Sequence, residues 1–342
     1  MLRRILSLLL VLTLIFTFTT ACSTKEDPQG VSSEKQEEVA SETSTGDYPN
    51  KPITLVLGYS AGGSSDVMVR ILANTLEKYI GQPIVVVNKP GAGGWVCWEE
   101  VIKSVKPDGY TFALINTPNL TLGAYDEANP RQYTIDDFDL LCNHVTDSSV
   151  IAIRNDESRF SDLPSLVEYA KKDTLLVAAS AVGIMSDDAT VAEYFNMYHG
   201  TDIQIVQTGG AKENETMFLA GDTDILIANI ADVRTAHING DYKVIAVFAP
   251  ERSELLPDVP TAAEQGFSDF YMFSARGYAL PKGVDPSIKE KLLNALRGAI
   301  HDPEVKNKLD EIGAQTDYKE GQEYYDFLKE NIEMSKKIYG VE

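Results

Sequence analysis

The chain is short of the residue types that most enzymes depend on. Among 342 residues it has three cysteines, four histidines and two tryptophans. No CxxC or HExxH pattern occurs, and His144, His199, His237 and His301 lie far apart, so the sequence offers no metal site and implies no cofactor. An enzyme acting on small acids needs a metal or a nucleophile with a base. No histidine stands at motif spacing from a cysteine or aspartate, so no catalytic residue is assigned. Positive charge is also scarce, with 30 Lys and Arg against 51 Asp and Glu, a net charge of −21. That balance excludes a nucleic-acid partner, which requires a basic face. Long apolar runs are missing outside the first residues.

Those first residues are a targeting segment. Arg3 and Arg4 precede an uncharged apolar run, Ile5 to Phe18, which is short for a membrane span. The segment closes on Thr19-Thr20-Ala21-Cys22, similar to a bacterial lipobox apart from Thr19, where Leu is usual. Residues 1–22 therefore read as a lipoprotein signal peptide with Cys22 the lipidated residue; a plain cleaved secretory signal is the alternative. Residues 23–47 hold no aromatic residue, seven carboxylates and two lysines. They cannot bury enough apolar surface to offset ordering entropy, and read as a disordered acidic linker. A chain anchored by lipid on the outer face of a bacterial membrane and then spaced off it works outside the cytoplasm. Cys97 and Cys142 read as buried free thiols, although the compartment would permit a disulfide.

From residue 48 onward strand and helix patterns alternate. Ile53–Leu57 reads as a strand, and a small-residue turn, Gly58 to Asp66, leads into a helix with Val67, Ile71, Leu72 and Leu76 on one face. Further strands are expected at Ile84–Val87, Thr111–Ile115, Val150–Ile153, Leu175–Ala178, Ile203–Val206, Ile225–Ala228 and Val244–Phe248. Helices are expected at Val96–Ser104, Leu163–Lys171 (capped by Ser161), Asp187–Tyr198, from Ala211 to Leu219, Pro286–Ile300, Pro303–Ile312 and Gly321–Ile338. This alternation means α/β, with mostly parallel sheets and ligand at the carboxyl ends of strands. The expected fold is two-lobed and periplasmic-binding-protein-like, each lobe a mostly parallel sheet flanked by helices. Residues 48–150 with 274–342 form one lobe and 151–273 the other. Two crossing segments, near Val150–Arg154 and Phe273–Ala279, make the hinge.

Each Gly-rich turn sets backbone N–H groups at the positive end of a helix, a geometry suited to an anion. The candidate ligand-binding residues are Tyr59, Ser60, Gly62, Gly63, Ser64 and Asp66 in the first turn. Asn116, Thr117 and Asn119 follow in a polar loop after a strand. The second lobe contributes Ser180, Gly183, Ser186, Thr208, Gly209, Gly210, Asn229 and Asp232. Asp66 reads first as a helix cap that holds its turn, and Asp232 as a cap for the helix from Val233, with a ligand amine as the alternative. Asp187 and Asp188 at a helix start read as dipole partners, with an ammonium-bearing ligand as the alternative. Trp95 and Trp98 read as core.

Several segments together resemble one family. They are Tyr48-Pro49-Asn50-Lys51-Pro52-Ile53, Gly62-Gly63-Ser64-Ser65-Asp66, Gly81-Gln82-Pro83-Ile84 through Gly91-Ala92-Gly93-Gly94, Pro107-Asp108-Gly109-Tyr110-Thr111, Leu256-Pro257-Asp258-Val259-Pro260-Thr261 and Gly277-Tyr278-Ala279-Leu280-Pro281. In that order they resemble the extracytoplasmic solute receptors of tripartite tricarboxylate transporters, often called Bug-type receptors. The resemblance implies a fold that closes on a small carboxylate, held by turn N–H groups and ordered water largely without a basic side chain. It implies two integral membrane permease subunits as partners, and a monomer. A sensory receptor reporting carboxylate to a membrane kinase, or a secreted enzyme acting on carboxylates, are the alternatives. The chain departs from the family at Gly58-Tyr59-Ser60-Ala61, where a Pro-rich turn is usual. Met185 stands for a Gly, Ala189 for a His, and Thr208-Gly209 for an aromatic and a Lys. Trp95 and Trp98 occupy positions where small residues are usual.

Overall fold

A computed structural model describes residues 48–126, 129–172, 175–180, 185–267 and 270–340. The targeting segment with Cys22, the acidic linker, and Gly183 lie outside the described residues. The first lobe opens with β1 (Ile53–Leu57), α1 (Ser64–Ile80), β2 (Ile84–Asn88), α2 (Trp95–Ser104), β3 (Thr111–Thr117) and the short α3 (Asn119–Leu122). β1 pairs in parallel with both β2 and β3, giving the order β2-β1-β3. The second lobe repeats the plan. After α4 (Leu163–Ala170) come β5 (Leu176–Ser180), α5 (Asp187–His199), β6 (Ile203–Gln207), α6 (Ala211–Ala220), β7 (Ile225–Asn229), α7 (Ile230–Asn239) and β8 (Tyr242–Val247). Here β5 pairs in parallel with β6 and β7, in the order β6-β5-β7.

Two long strands join the halves. β4 (Phe138–Arg154) and β9 (Phe273–Pro281) pair antiparallel from Phe138↔Pro281 to Ser148↔Phe273. β9 also borders β3, while the far end of β4 borders β7 and β8. The sequence pattern showed only Val150–Ile153 of this 17-residue strand. Asn143, His144, Thr146, Asp147, Ser148 and Ser149 break its apolar alternation. All are buried or half-buried between the lobes, where polar groups pair with one another rather than with solvent.

Apolar packing follows the two halves. One cluster joins Leu55, Leu57, Met68, Leu72, Phe112, Leu114, Tyr278, Leu280 and Leu296. In the other lobe Ile151 and Ile153 face Phe195 on one side of the sheet, while Val150 and Ala152 face Phe218 on the other. The alternation places both faces of that sheet under helices, as parallel sheets require. Truncating a fully buried member such as Leu72 to Ala costs about 2–5 kcal/mol.

The chain ends in α8 (Pro286–Ile300), α9 (Pro303–Glu311), β10 (Thr316–Glu320) and α10 (Gly321–Tyr339). α8 and α9 pack on α1. α10 packs Tyr324 and Leu328 in the first cluster and Ile338 in the second. Its last turn accepts the Tyr198 hydroxyl at the Lys337 carbonyl, 2.7 Å.

Four local expectations are corrected. Asp162, not Ser161, caps α4: it accepts from Ser165 N at 2.9 Å, and the Ser165 hydroxyl returns to the Asp162 N–H. The polar loop expected at Asn116–Asn119 is not a loop. Asn116 and Thr117 pair with Arg276 and Ala275 of β9, and Asn119 opens α3. The helix expected from Val233 starts at Ile230 with Asn229 at its cap position, so Asp232 lies within the first turn. β10 escaped the sequence pattern because Thr316-Asp317-Tyr318-Lys319-Glu320 has no apolar alternation.

Candidate functional site

The carboxyl ends of the parallel strands of both lobes open on one cavity of about 270 Å³. It is reached by the turns after β1, β6 and β7, by the start of α5, and by the polar end of β3 and start of β9. A second cavity, about 540 Å³, adjoins it through Tyr59, Ser60 and Gly209 and extends over Gly91, Trp95, Asn119, Arg131, Met185 and Thr208.

The turn after β1 is held from within. Asp66, in the first turn of α1, accepts Gly62 N–H at 2.9 Å and Asn88 Nδ2 at 2.9 Å, and pairs with Arg70 at 3.0 Å. Burial opposes the charge of Asp66, but these bonds outweigh it and hold the carboxyl below its usual range. The turn after β6 uses the same device, with Glu213 Oε2 accepting Gly209 N–H at 2.7 Å. Gly62 N–H is thus already committed, and Asp66 lines neither cavity among the described residues. What faces the cavity is the helix start itself: Gly63, Ser64 and Ser65 at α1, Gly210 and Ala211 at α6. Neither helix has a side-chain cap bond, and nor does α7. Two helix N-termini, those of α1 and α6, therefore open on one volume, with their first N–H groups lacking partners inside the helix; at α7 the Ala231 N–H already goes to Asp147 at 3.4 Å.

The base of the cavity is a buried polar network. Arg276, on β9, is 3% exposed and donates Nη1 to Asp147 Oδ2 at 3.3 Å and Nη2 to Asn229 Oδ1 at 3.2 Å. Asn229 donates to Asp187 Oδ2 at 2.6 Å, and Ser149 donates to the same oxygen at 3.1 Å. Ser274 donates to Asn116 Oδ1 at 2.9 Å. Burial raises the carboxyl of Asp187, partly offset by Asn229, Arg276 and Ser149. Burial likewise pushes Asp147 up to about 7 against the pull of Arg276. Asp232 is raised by burial, eased by Arg276 and a hydrogen bond from Ser64. Burial opposes the charge of Arg276, but Asp147, Asp232 and Asp187 outweigh it. Two buried polar atoms in this network make no well-formed hydrogen bond: Arg276 Nε and the Tyr59 hydroxyl.

Of the candidate residues, the first cavity brings together Tyr59, Ser60, Gly63, Ser64, Asn116, Gly209, Gly210, Asn229 and Asp232. Asn119 and Thr208 line the second. Gly62 opens on a third hollow beside α7, of about 290 Å³. Thr117 is buried in β3, and Ser186 caps α5 by accepting Ala189 N–H at 3.1 Å. Ser180 ends β5, and Gly183 lies outside the described residues. Trp95 and Trp98 are buried, donating to the carbonyls of Asn119 and Leu114. Arg276 and Ser274 were missed. A lone arginine inside the apolar run Phe273–Leu280 was the available signal, since a buried charge needs a partner.

Gly58-Tyr59-Ser60-Ala61-Gly62 also has the G-x-S-x-G spacing of a hydrolase nucleophile elbow, a motif the sequence argument against an enzyme overlooked. Ser60 does face the cavity, but no histidine lines either cavity to serve it as base.

The profile of the family described as "Tripartite tricarboxylate transporter family receptor" matches residues 68–340. The "UPF0065 protein in gbd 5'region" of Cupriavidus necator is 30% identical over 294 residues, covering 85% of this chain and 87% of that protein. MatC from Rhodopseudomonas palustris, solved with bound malate, has a TM-score of 0.77 at 24% identity, covering 85% of this chain and 99% of its own. A second R. palustris protein, solved with adipate, has a TM-score of 0.79 at 23% identity, over 86% of this chain and 99% of its own. These two likenesses show the two-lobed periplasmic-binding fold.

Proposed function

Because the chain belongs to the tripartite tricarboxylate transporter receptor family, we propose that it captures a small carboxylate between its lobes and delivers it to a membrane transporter. The observation that carries the reading is the opening of the α1 and α6 N-termini on one cavity with Arg276 at its base. Helix N-termini and a guanidinium are the two commonest ways to hold a carboxylate. Arg276 adds a basic group that the family resemblance did not lead us to expect.

A ligand there touches Ser64 and Ser65 from one lobe and Gly210 and Ala211 from the other. It completes those contacts only when the lobes are closed, so it favours the closed form by its differential affinity. The receptor works outside the cytoplasm, tethered through Cys22, as a monomer that meets two integral membrane permease subunits. No helix among the described residues is long and apolar enough to cross a membrane. Cys22→Ala tests the tether and should release the protein from membranes.

The test is thermal unfolding against a panel of mono-, di- and tricarboxylates and amino acids. A ligand at 100 times its dissociation constant adds about 2.7 kcal/mol. A saturable shift that Arg276→Met abolishes supports the reading. No shift with any acid overturns it.

A further inference from the structure

The cavity is lined by Lys212 and Arg276, and these cations differ. Lys212 is at the rim, 81% exposed and bound to Glu215 at 2.6 Å. Arg276 is buried at the base, and its charge is already shared. Nη1 donates to Asp147 Oδ2 at 3.3 Å and Nη2 to Asn229 Oδ1 at 3.2 Å, while Nε makes no hydrogen bond. A guanidinium has more N–H donors than these bonds use. Asp147 does not line the cavity; it stands behind Arg276 on β4. An anion arriving at Arg276 therefore meets a guanidinium that another carboxylate already neutralises.

Asp147 depends on Arg276 more than its neighbours do. The charged and titratable groups facing it are Arg276 on β9, Asp232 on α7 and Asp187 on α5. The carboxyl groups oppose its charge, and Arg276 supports it. Its other support is the Ala231 N–H, 3.4 Å away at the start of α7. Asp187 is held differently, by Asn229 at 2.6 Å and Ser149 at 3.1 Å, both neutral donors. Asp232 has a hydrogen bond from Ser64. Drawing Arg276 towards a ligand therefore bears hardest on Asp147, which at 3% exposure is too buried for solvent to take over.

Building on the receptor reading above, we propose that Asp147 is a positioning residue that couples binding to a proton: it holds the Arg276 guanidinium while the site is empty and takes up a proton when an anion binds there. The proton comes from the buffer and ends on an Asp147 carboxylate oxygen. The positive charge of Arg276 is then left to the ligand. A neutral carboxyl still accepts from Nη1, so the guanidinium keeps its place. Burial pushes Asp147 up to about 7, so the exchange falls near neutral pH. The coupling also sits at the passage between the lobes, where Asp147 pairs with Ser274 of β9 and receives the start of α7. An anion beside Arg276 raises Asp147 further, so affinity rises as pH falls. A rise of about one unit makes binding about fivefold tighter at pH 6.5 than at pH 8.5.

The experiment is calorimetric titration of the purified protein with malate, succinate, glutarate, benzoate and L-glutamate, in buffers of low and high ionisation enthalpy. At pH 7.5 the acids' own carboxyl groups are ionised and contribute no proton. The acid that binds should bring uptake of about half a proton at pH 7.5, and the fivefold pH dependence above. Asp147→Asn keeps an acceptor for Nη1. It should abolish the uptake and the pH dependence, and bind that acid at least about fivefold tighter than the parent at pH 8.5. A residue that only held Arg276 in place would lose affinity at every pH and keep the slope. Asp187 and Asp232 still offset Arg276 in this variant, so it should fold; its melting curve checks that. Asp232→Asn is the control and should keep the uptake. Binding to the parent without proton uptake overturns the inference whatever the variants do. So does uptake that survives in folded Asp147→Asn or vanishes in Asp232→Asn. Each of these outcomes leaves the carboxylate receptor intact. Binding of no acid in this set or in the unfolding panel overturns the receptor reading itself.

Discussion

Arg276 and Asp147 form an ion pair across neighbouring strands, Nη1 to Oδ2 at 3.3 Å, with each side chain no more than 3% exposed. β9 supplies the cation and β4 the carboxylate, at the point where the strands pass from one lobe to the other. Removing one partner of such a pair strands the other in a low-dielectric site, at a cost of about 3–5 kcal/mol. Arg276→Met should therefore lower the urea midpoint substantially as well as abolish ligand response. Asp147 can escape by protonating, so the loss should be smaller at pH 5 than at pH 8. The double variant Arg276→Met, Asp147→Leu should recover most of the stability and none of the binding. A double variant as unstable as the single one would show that the pair is not what Arg276 contributes.

The same cluster sets a pH dependence. Asp147 is pushed up to about 7, and Asp187 and Asp232 are raised in the same direction, each by burial first. Unfolded aspartate titrates at about 3.9. Between these limits folded Asp147 binds more protons than the unfolded residue, so its stabilising contribution is complete below about pH 4 and is lost as pH rises through about 7. Asp187 and Asp232 act in the same sense. Asp66 and Glu157 are lowered and act oppositely, losing their contribution as pH falls below the usual carboxylate range. Ligand-free protein should be most stable in mildly acid solution and weaken from pH 5 to 8. Asp232→Asn should flatten that decline. Melting temperatures that rise steadily from pH 5 to 8 would contradict the assignment.

The repeated β-α-β plan was legible because apolar runs such as Ile53–Leu57 and Ile225–Ala228 end in small-residue turns that start helices. Those turns also marked most of the cavity, from Tyr59 and Ser64 to Gly209, Gly210 and Asn229. The joining strands were not legible. β4 and β9 put Asp147, Ser149, Ser274 and Arg276 where a strand pattern asks for apolar residues, since these side chains satisfy one another across the hinge. Their pairing depends on two segments more than 120 residues apart in the chain, as Arg276 and Asp147 are, and no local spacing encodes it. Asp66 and Glu213 show the opposite case. Each lies four residues after the N–H it accepts, a local relation; Asp66 was read as a cap of α1 that holds its turn, and it holds the turn from inside the helix, while Gly63 takes the cap position with no side-chain cap bond.

That holding role gives a graded prediction. Asp66 is 4% exposed and keeps the first turn through Gly62 and Asn88. Asp66→Ala should cost about 1–3 kcal/mol, the penalty for leaving those donors without an acceptor, and should weaken ligand binding through a loosened turn. Asp66→Asn keeps one acceptor and should cost less. Glu213→Ala, on a more exposed turn, should cost least. Denaturation midpoints order the three, and an equal loss for Asp66→Ala and Glu213→Ala would remove the distinction between the turns.

The first two Gly-rich turns touch at Gly58 and Gly94. A Cβ on Gly58 would lie 2.5 Å from Gly94 Cα and 2.9 Å from its carbonyl oxygen, both backbone atoms that cannot rotate away. Gly58→Ala should lose about 1–3 kcal/mol by overpacking and displace the Tyr59–Ser60 segment that separates the two cavities. Gly63→Ala is the control: its φ is −79° and the nearest contact for a new methyl is 3.9 Å. It should stay within about 1 kcal/mol of the parent. Equal melting temperatures for the two variants would mean that the turns separate readily.

Cys97 and Cys142 are both unpaired and fully buried. Burial pushes the Cys97 thiol up to about 12 and Cys142 higher still. The thiolate is the reactive form, so both should be inert in the folded protein at neutral pH. Reaction with a disulfide reagent must then wait for opening of the structure. Even a modest global stability of about 5 kcal/mol slows it by about a thousandfold or more where opening is global. In concentrated guanidinium, which unfolds the chain, both thiols should react at once. Cys97 lies on α2, next to the Gly94 contact, so its labelling rate should rise in Gly58→Ala while that of Cys142 changes less. Prompt labelling of either thiol in the native parent protein would show that the fold around it is open.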